Sequence, residues 1–244
     1  MLSVVLPALS LDDDFFATLS SLEVLIAQSF EVLVVCPEED HAHINSSFPI
    51  EFIKDPGVGV FTAINSGILR ASGEWVMTLN SGDLLKSSPI ETLDCVPDNI
   101  DILVFRQEVI ESGVPVGITK GSDSSLWPHQ STLVRRRVYQ KYGLYPERFQ
   151  IVADQVFFAL VRDLVVYAYD ETVLTQYDLS GLSRGVHLSY SSELLILWLM
   201  LRRNLPNALL KAYVRPWIRF VVLKLISKRA AERLIASIRV YFGS

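Results

Sequence analysis

The chain has 244 residues, half of them apolar and 20% charged, with two cysteines and a formal charge of −5, and its mean hydropathy is +0.32. That composition excludes a disordered chain, and two cysteines build neither a disulfide scaffold nor a four-cysteine zinc site. The charge is split: residues 1–188 carry 12 Lys+Arg against 25 Asp+Glu (net −13), too acidic for a nucleic-acid platform, and residues 189–244 carry 10 against 2 (net +8), which suits an anionic partner.

Met1 leads straight into Leu-Ser-Val-Val-Leu-Pro without a basic start, and Asp12-Asp13-Asp14 follows, so a first strand over Ser3–Leu9 is expected here, not a signal peptide. Phe15, Leu19, Leu22 and Leu25 fall at helical spacing and predict a helix over Phe15–Gln28. Apolar runs at Ser29–Cys36 and Ile50–Lys54 predict a second and a third strand. Asp55-Pro-Gly-Val-Gly59 is a turn by its proline and glycines. Phe61, Ile64 and Ile68 then predict a helix over Val60–Ala71, stopped near Gly73, and Glu74–Leu79 is a fourth strand running into Asn80-Ser-Gly-Asp83.

Beyond Asp83 the rhythm loosens. A helix is expected near Pro89–Cys95 and strands near Ile102–Ile110 and Val114–Lys120. Helices follow over Leu133–Tyr142 and Asp154–Arg162, then strands over Val165–Asp170 and Val173–Tyr177. Strands alternating with helices predict an α/β protein with a mostly parallel sheet, and the later strands predict a small antiparallel element. The compositional boundary lies near residue 188, giving domains 1–188 and 189–244. No apolar run reaches the ~18 residues of a spanning helix; Leu194–Leu201 ends at Arg202-Arg203. A cytoplasmic protein with reduced thiols is expected.

In an open α/β sheet ligands bind beyond the carboxyl ends of the strands. Pro7–Ser10, Cys36–Asp40 and Asn80–Asp83 occupy such ends. Asp83 with Asn80 suits a hard divalent cation shared with substrate phosphates, although these residue types also make a plain turn. Gly57 and Gly59 do not continue as a dinucleotide fingerprint, because the third glycine position is Thr62. There is no Walker A pattern and no G-x-S-x-G. A nucleotidyltransferase would want glycine and lysine in the first loop, and Ala8–Asp14 has neither. His41 and His43 sit on an acidic loop and are expected to be solvated. Pro128-His-Gln-Ser-Thr132 with Arg135-Arg-Arg137 could meet a phosphate leaving group, or form a solvated basic helix face. Asp154 opens a helix, as a cap or as a general base.

In order, these segments resemble the inverting family 2 glycosyltransferases, bacterial polysaccharide branch. That branch's signature reads D-x-G-I-Y-D-A-M-N-K-G, then A-x-G, then F-L-N-S-G-D. This chain has Asp55-Pro-Gly-Val-Gly-Val-Phe-Thr-Ala-Ile-Asn-Ser-Gly67, Ala71-Ser-Gly73 and Leu79-Asn-Ser-Gly-Asp83. His129-Gln130-Ser131, Arg135-Arg136, Tyr142-Gly-Leu144 and Ala153-Asp154 are similar to its later blocks, and the likeness spans residues 2–180.

The resemblance implies a GT-A (Rossmann-like) fold and transfer of a sugar from a nucleotide-diphosphate sugar; the tail's own pattern adds C-terminal amphipathic helices to that expectation. Asp83 matches the position that holds Mg²⁺ or Mn²⁺, and Asp154 matches the aspartate that deprotonates the acceptor hydroxyl. Pro7, Ala8, Asp55, Asn65, Asn80, Ser81, Asp83, His129 and Arg135 are expected around the nucleotide sugar. The chain departs from the pattern at Cys36-Pro37, where an aspartate is usual and Glu38, Glu39 and Asp40 follow instead. It departs again at Phe61-Thr62 in place of Tyr-Asp, and at Asn80 and Gly82 where many relatives carry aspartates. Those losses keep a second reading open, a catalytically silent glycosyltransferase-like module that binds at a membrane.

In the basic region, Ile218, Val221, Val222 and Leu225 form one helical stripe and Leu234, Ile235, Ile238 and Phe242 another, flanked by seven of the basic residues and by Trp198 and Trp217. Such helices lie on anionic lipid or pack on their own domain. With the lipid-linked acceptors that the resemblance implies, the first alternative gives the expectation of a chain at the inner face of the plasma membrane, building a cell-surface polysaccharide.

Overall fold

The computed structural model describes residues 1–26, 29–37, 44, 46–119, 127–179, 192–193 and 195–197. The chain divides into two units, Met1–Asp178 and Leu179–Ser244. In the second, the described residues 192–193 and 195–197 are helical. The two amphipathic stripes predicted there lie outside the described residues, as do His41, His43 and the Glu38–Asp40 acids. Among the described residues no helix is long and apolar enough to cross a membrane.

The first unit opens with β1 (Leu2–Pro7), α1 (Asp13–Ser21), β2 (Phe30–Cys36), β3 (Ile50–Lys54), α2 (Val60–Arg70) and β4 (Trp75–Thr78). These strands pair in parallel in the order β3-β2-β1-β4, with Val4 opposite both Val32 and Met77. Near-continuous apolar runs are what a sheet covered on both faces requires. On one face Leu2, Val4, Leu6, Val32 and Val34 pack with Phe15 and Leu19 of α1. On the other, Val5, Leu33 and Val35 pack with Phe61, Ile64 and Ile68 of α2. Helix α2 lies so close to β1 that a Cβ on Gly67 would come within 2.4 Å of Val5 Cγ1.

Helix α1 starts where the Asp12 carboxylate accepts the Phe15 N–H, 3.1 Å. It stops at Ser21, before a short 3₁₀ turn over Leu22–Leu25, and does not run to the predicted end. The Ser21 hydroxyl donates to Thr18 O (2.6 Å) and accepts from Leu85 N (3.0 Å), so a side chain takes over backbone bonding there.

The remaining elements are β5 (Leu84–Leu85), α3 (Ile90–Cys95), β6 (Ile102–Glu111), β7 (Val114–Ile118), β8 (Thr132–Arg135), α4 (Arg136–Tyr142), α5 (Ala153–Val161) and β9 (Tyr167–Asp178). They extend the sheet as β4-β8-β6-β9-β5, with β7 paired to β6. Strand β8 runs antiparallel to both β4 and β6. Leu133–Arg135 is therefore strand, contrary to the helix expected from Leu133, and only Arg136–Tyr142 is helical. Pairing on both edges, with Leu133 and Val134 buried, outweighs local helical pattern. The two strands expected over Val165–Tyr177 are one, which absorbs the Asp170–Thr172 turn as register shifts against β6.

Replacing Gly67 by Ala forces α2 off β1. We expect a loss of about 1–3 kcal/mol, typical of overpacking, measured as a lowered urea midpoint; an unchanged midpoint would mean the helix shifts freely.

Candidate active site

The chain goes from β1 outward to β2 and β3, then returns to β4 on the other side of β1. That reversal opens a crevice beyond the carboxyl ends of β1 and β4. The Asn80–Asp83 turn stands there, closed by the Asp83 N–H to Asn80 O at 3.0 Å. Gly82 has φ +93°, a value that excludes most side chains. Helix α1 pins the turn from below, because Thr18 Oγ1 accepts the Gly82 N–H (2.9 Å) and donates to Asp14 O (3.0 Å).

Asp83 is 4% exposed. Its Oδ2 accepts from Gln130 Nε2 (3.2 Å) and its Oδ1 from the Asp178 N–H (3.3 Å). Gln130 is itself fixed by Gln107 Nε2, which donates to Gln130 Oε1 and to Thr175 Oγ1, both at 3.3 Å. Burial pushes the Asp83 carboxyl up to about 7, although the two hydrogen bonds pull the other way.

His129 stands on a single 3₁₀ turn just before β8. Its Nδ1 lies 2.9 Å from Asp154 Oδ2, and its Nε2 lies 3.3 Å from Asn80 Nδ2. As a carboxylate Asp154 only accepts, so Nδ1 carries the proton and Nε2 accepts from the Asn80 amide. Asp154 is in the first turn of α5 and 5% exposed. Gln155 Nε2 donates both to Asp154 Oδ2 (3.0 Å) and to Trp127 O (2.6 Å). Both donors converge on Oδ2; no described residue hydrogen-bonds Oδ1. The Asn80 Oδ1 and Gln155 Oε1 atoms are buried without a hydrogen-bond partner among the described residues.

Asn80, Asp83, His129 and Asp154 are thus brought together at the carboxyl edge, with Ser81 half-buried in the same turn. Pro7 and Ala8 end β1 on that edge, buried, with the Ala8 N–H bonded to Val35 O (2.9 Å). Asp55 follows β3, where its carboxylate accepts the Gly57 N–H (2.9 Å) and organises the turn. Asn65 is spent on the chain itself. Its amide donates to Tyr145 O (2.9 Å) and Glu147 Oε1 (3.0 Å) and accepts the Tyr145 N–H (3.1 Å).

Arg135 is not brought to this cluster. It pairs with Trp75, at the amino end of β4. There its Nε donates to Ile100 O (2.6 Å), it pairs with Glu74, and its guanidinium stacks on the Trp75 ring at 4.4 Å. β8 puts about 13 Å of extended chain (four residues at ~3.3 Å) between the histidine turn and that end. Arg135, Arg136 and Arg137 instead line a cleft of about 220 Å³ with Ser72, Glu74 and Gln140. Gln130, quoted in the sequence only as part of the His129–Ser131 block, and Gln155 and Thr18, not named there at all, are further site residues. The first two adjoin His129 and Asp154, so adjacency was the available signal.

No family model matches the chain, and no curated protein matches it. Solved structures do. TarS 1–349 of S. aureus, in complex with UDP, superposes with a TM-score of 0.60 at 14% identity, over 96% of this chain and 78% of that one. Full TarS gives 0.61 at 14% identity, over 93% of this chain and 46% of that one. The mannosyltransferase PcManGT of Pyrobaculum calidifontis, in complex with GDP-Man and Mn2+, gives 0.58 at 11% identity, over 99% and 81%. The fold is that of these GT-A glycosyltransferases, a curled, mostly parallel sheet with flanking helices.

An acid held above its unfolded value stabilises the fold at low pH, and that contribution is lost as pH rises through its native value. In metal-free, chelator-containing buffer, the thermal midpoint of the wild type should therefore fall more steeply between pH 4 and 8 than that of Asp83→Asn. At this chain length each kcal/mol corresponds to roughly 2–4 °C. Parallel profiles would contradict the burial argument.

Proposed function

We propose that the chain is a glycosyltransferase that moves a sugar from a nucleotide-diphosphate sugar to a saccharide acceptor, with inversion at the anomeric carbon. The observation that carries this reading is the pairing across one crevice of the Asn80–Asp83 turn with Asp154, whose Oδ1 is left open. The likeness to enzymes in complex with UDP or GDP-Man supports such a donor.

In this reading Asp154 Oδ1 takes the acceptor hydroxyl's proton as that oxygen forms its bond to the anomeric carbon. The bond from that carbon to the diphosphate oxygen breaks, and its electron pair leaves with the diphosphate. His129 and Gln155 keep Asp154 oriented by holding Oδ2. Base on one side and leaving group on the other is the arrangement a single displacement requires.

A divalent cation fits the turn. Among the described residues no group of three His, Cys, Asp or Glu side chains could hold a metal alone. However, Asn80 Oδ1 is a buried oxygen without a partner among the described residues, in the same turn as Asp83. Mg²⁺ and Mn²⁺ use one or two such oxygens and complete their shell with substrate phosphate and water. Asp83 and Asn80 would hold the ion, which supplies neutralisation for the departing diphosphate. Residues 1–188 form the catalytic domain in this proposal. The basic residues 189–244 hold it at an anionic membrane surface, at the inner face of the plasma membrane, where a lipid-linked acceptor for a surface polysaccharide would be met.

Asp154→Asn should lower kcat about 10²–10⁴-fold, read as nucleoside-diphosphate release, while the thermal shift with nucleoside diphosphate and Mn²⁺ persists. Asp83→Ala should lose the Mn²⁺-dependent part of that shift. Nucleotide binding without turnover of any donor would favour the silent binding module instead.

A further inference from the structure

We infer that His129 is a positioning residue for Asp154, holding it as the base through Nδ1 while its own ring is held by Asn80 through Nε2. The inference rests on the glycosyl-transfer reading and assigns His129 a role on the acceptor side, in place of a contact with the leaving diphosphate. Three observations carry it. The Nδ1 atom is 2.9 Å from Asp154 Oδ2, so one side of the imidazole is committed to the carboxylate. The other nitrogen is 3.3 Å from Asn80 Nδ2, so neither ring nitrogen is left for a phosphate oxygen. Gln155 Nε2, at 3.0 Å, bonds the same oxygen of Asp154, so both donors are spent on Oδ2 and no described residue bonds Oδ1.

The arrangement also joins the two sides of the site. Asn80 belongs to the turn after β4, pinned by α1, and Asp154 belongs to α5; the imidazole is the bridge between them. A ligand engaging Asn80 therefore acts on the element that orients the base. Carboxylate–histidine hydrogen bonds fix tautomer and ring orientation in this way elsewhere, and loss of such an orienting partner costs about 10–100-fold.

Two replacements separate the halves of the bridge. An asparagine amide nitrogen falls near the place of imidazole Nδ1, so His129→Asn keeps a donor toward Asp154. A glutamine amide falls near Nε2, so His129→Gln keeps the link to Asn80 and loses the hold on the base. With the full chain, kcat for nucleoside-diphosphate release from UDP-GlcNAc or GDP-mannose is expected to fall about 10–100-fold in His129→Ala. It should recover largely in His129→Asn and not in His129→Gln, with the donor KM within about twofold throughout. Side-chain ¹⁵N NMR supplies a readout independent of turnover. His129 should show the Nδ1–H tautomer, and Asp154→Asn should shift its nitrogen signals. Wild-type kcat in His129→Ala, rescue by glutamine in place of asparagine, or nitrogen signals indifferent to Asp154→Asn would each overturn the inference while leaving the transfer reading standing. A wild type that turns over no nucleotide sugar would overturn the transfer reading itself, and the role of His129 with it.

Discussion

An imidazole bonded on both nitrogens links the turn after β4 to the first turn of α5. The parallel strands β1–β4 present a turn with an amide and a carboxylate; the later elements present a helix with a second carboxylate. The two parts share one sheet and both apolar cores, and within that frame the His129 bridge links Asn80 directly to Asp154. The bridge depends on β8 inserting antiparallel between β4 and β6, which delivers His129 and Gln130 to the carboxyl edge. The same reversal carries Arg135 to the opposite edge, so one short strand separates two groups that lie close in sequence.

The cost of this arrangement is a buried carboxylate. Asp83 is almost wholly out of water, and three side chains (Gln130, Gln107 and Thr175) are aligned to support it. A neutral amide network reduces the penalty without adding another charge nearby, and it leaves Asp83 strained toward its protonated form.

Much of the first half was legible in the sequence because period and burial agree there. Val60–Arg70 is helical where Phe61, Ile64 and Ile68 said so, and Ile50–Lys54 is the expected strand. The later half was less legible. Leu133–Arg135 has residues that suit either helix or strand, and pairing on both edges decided the matter. The proximity of Asn80, Asp83, His129 and Asp154 followed from the resemblance and not from spacing, since 74 residues separate Asn80 from Asp154. The arginine run misled for the same reason. Three cations six residues from a histidine look like one cluster until a strand intervenes.

The most direct test of the central claim is a crystal structure of the chain with a nucleoside diphosphate and Mn²⁺, located by anomalous scattering. The account predicts a manganese peak at the Asn80–Asp83 turn in contact with the diphosphate, with His129 still bonded to Asp154. A diphosphate bound in the Arg135–Arg137 cleft, or anywhere without contact to that turn, would contradict it.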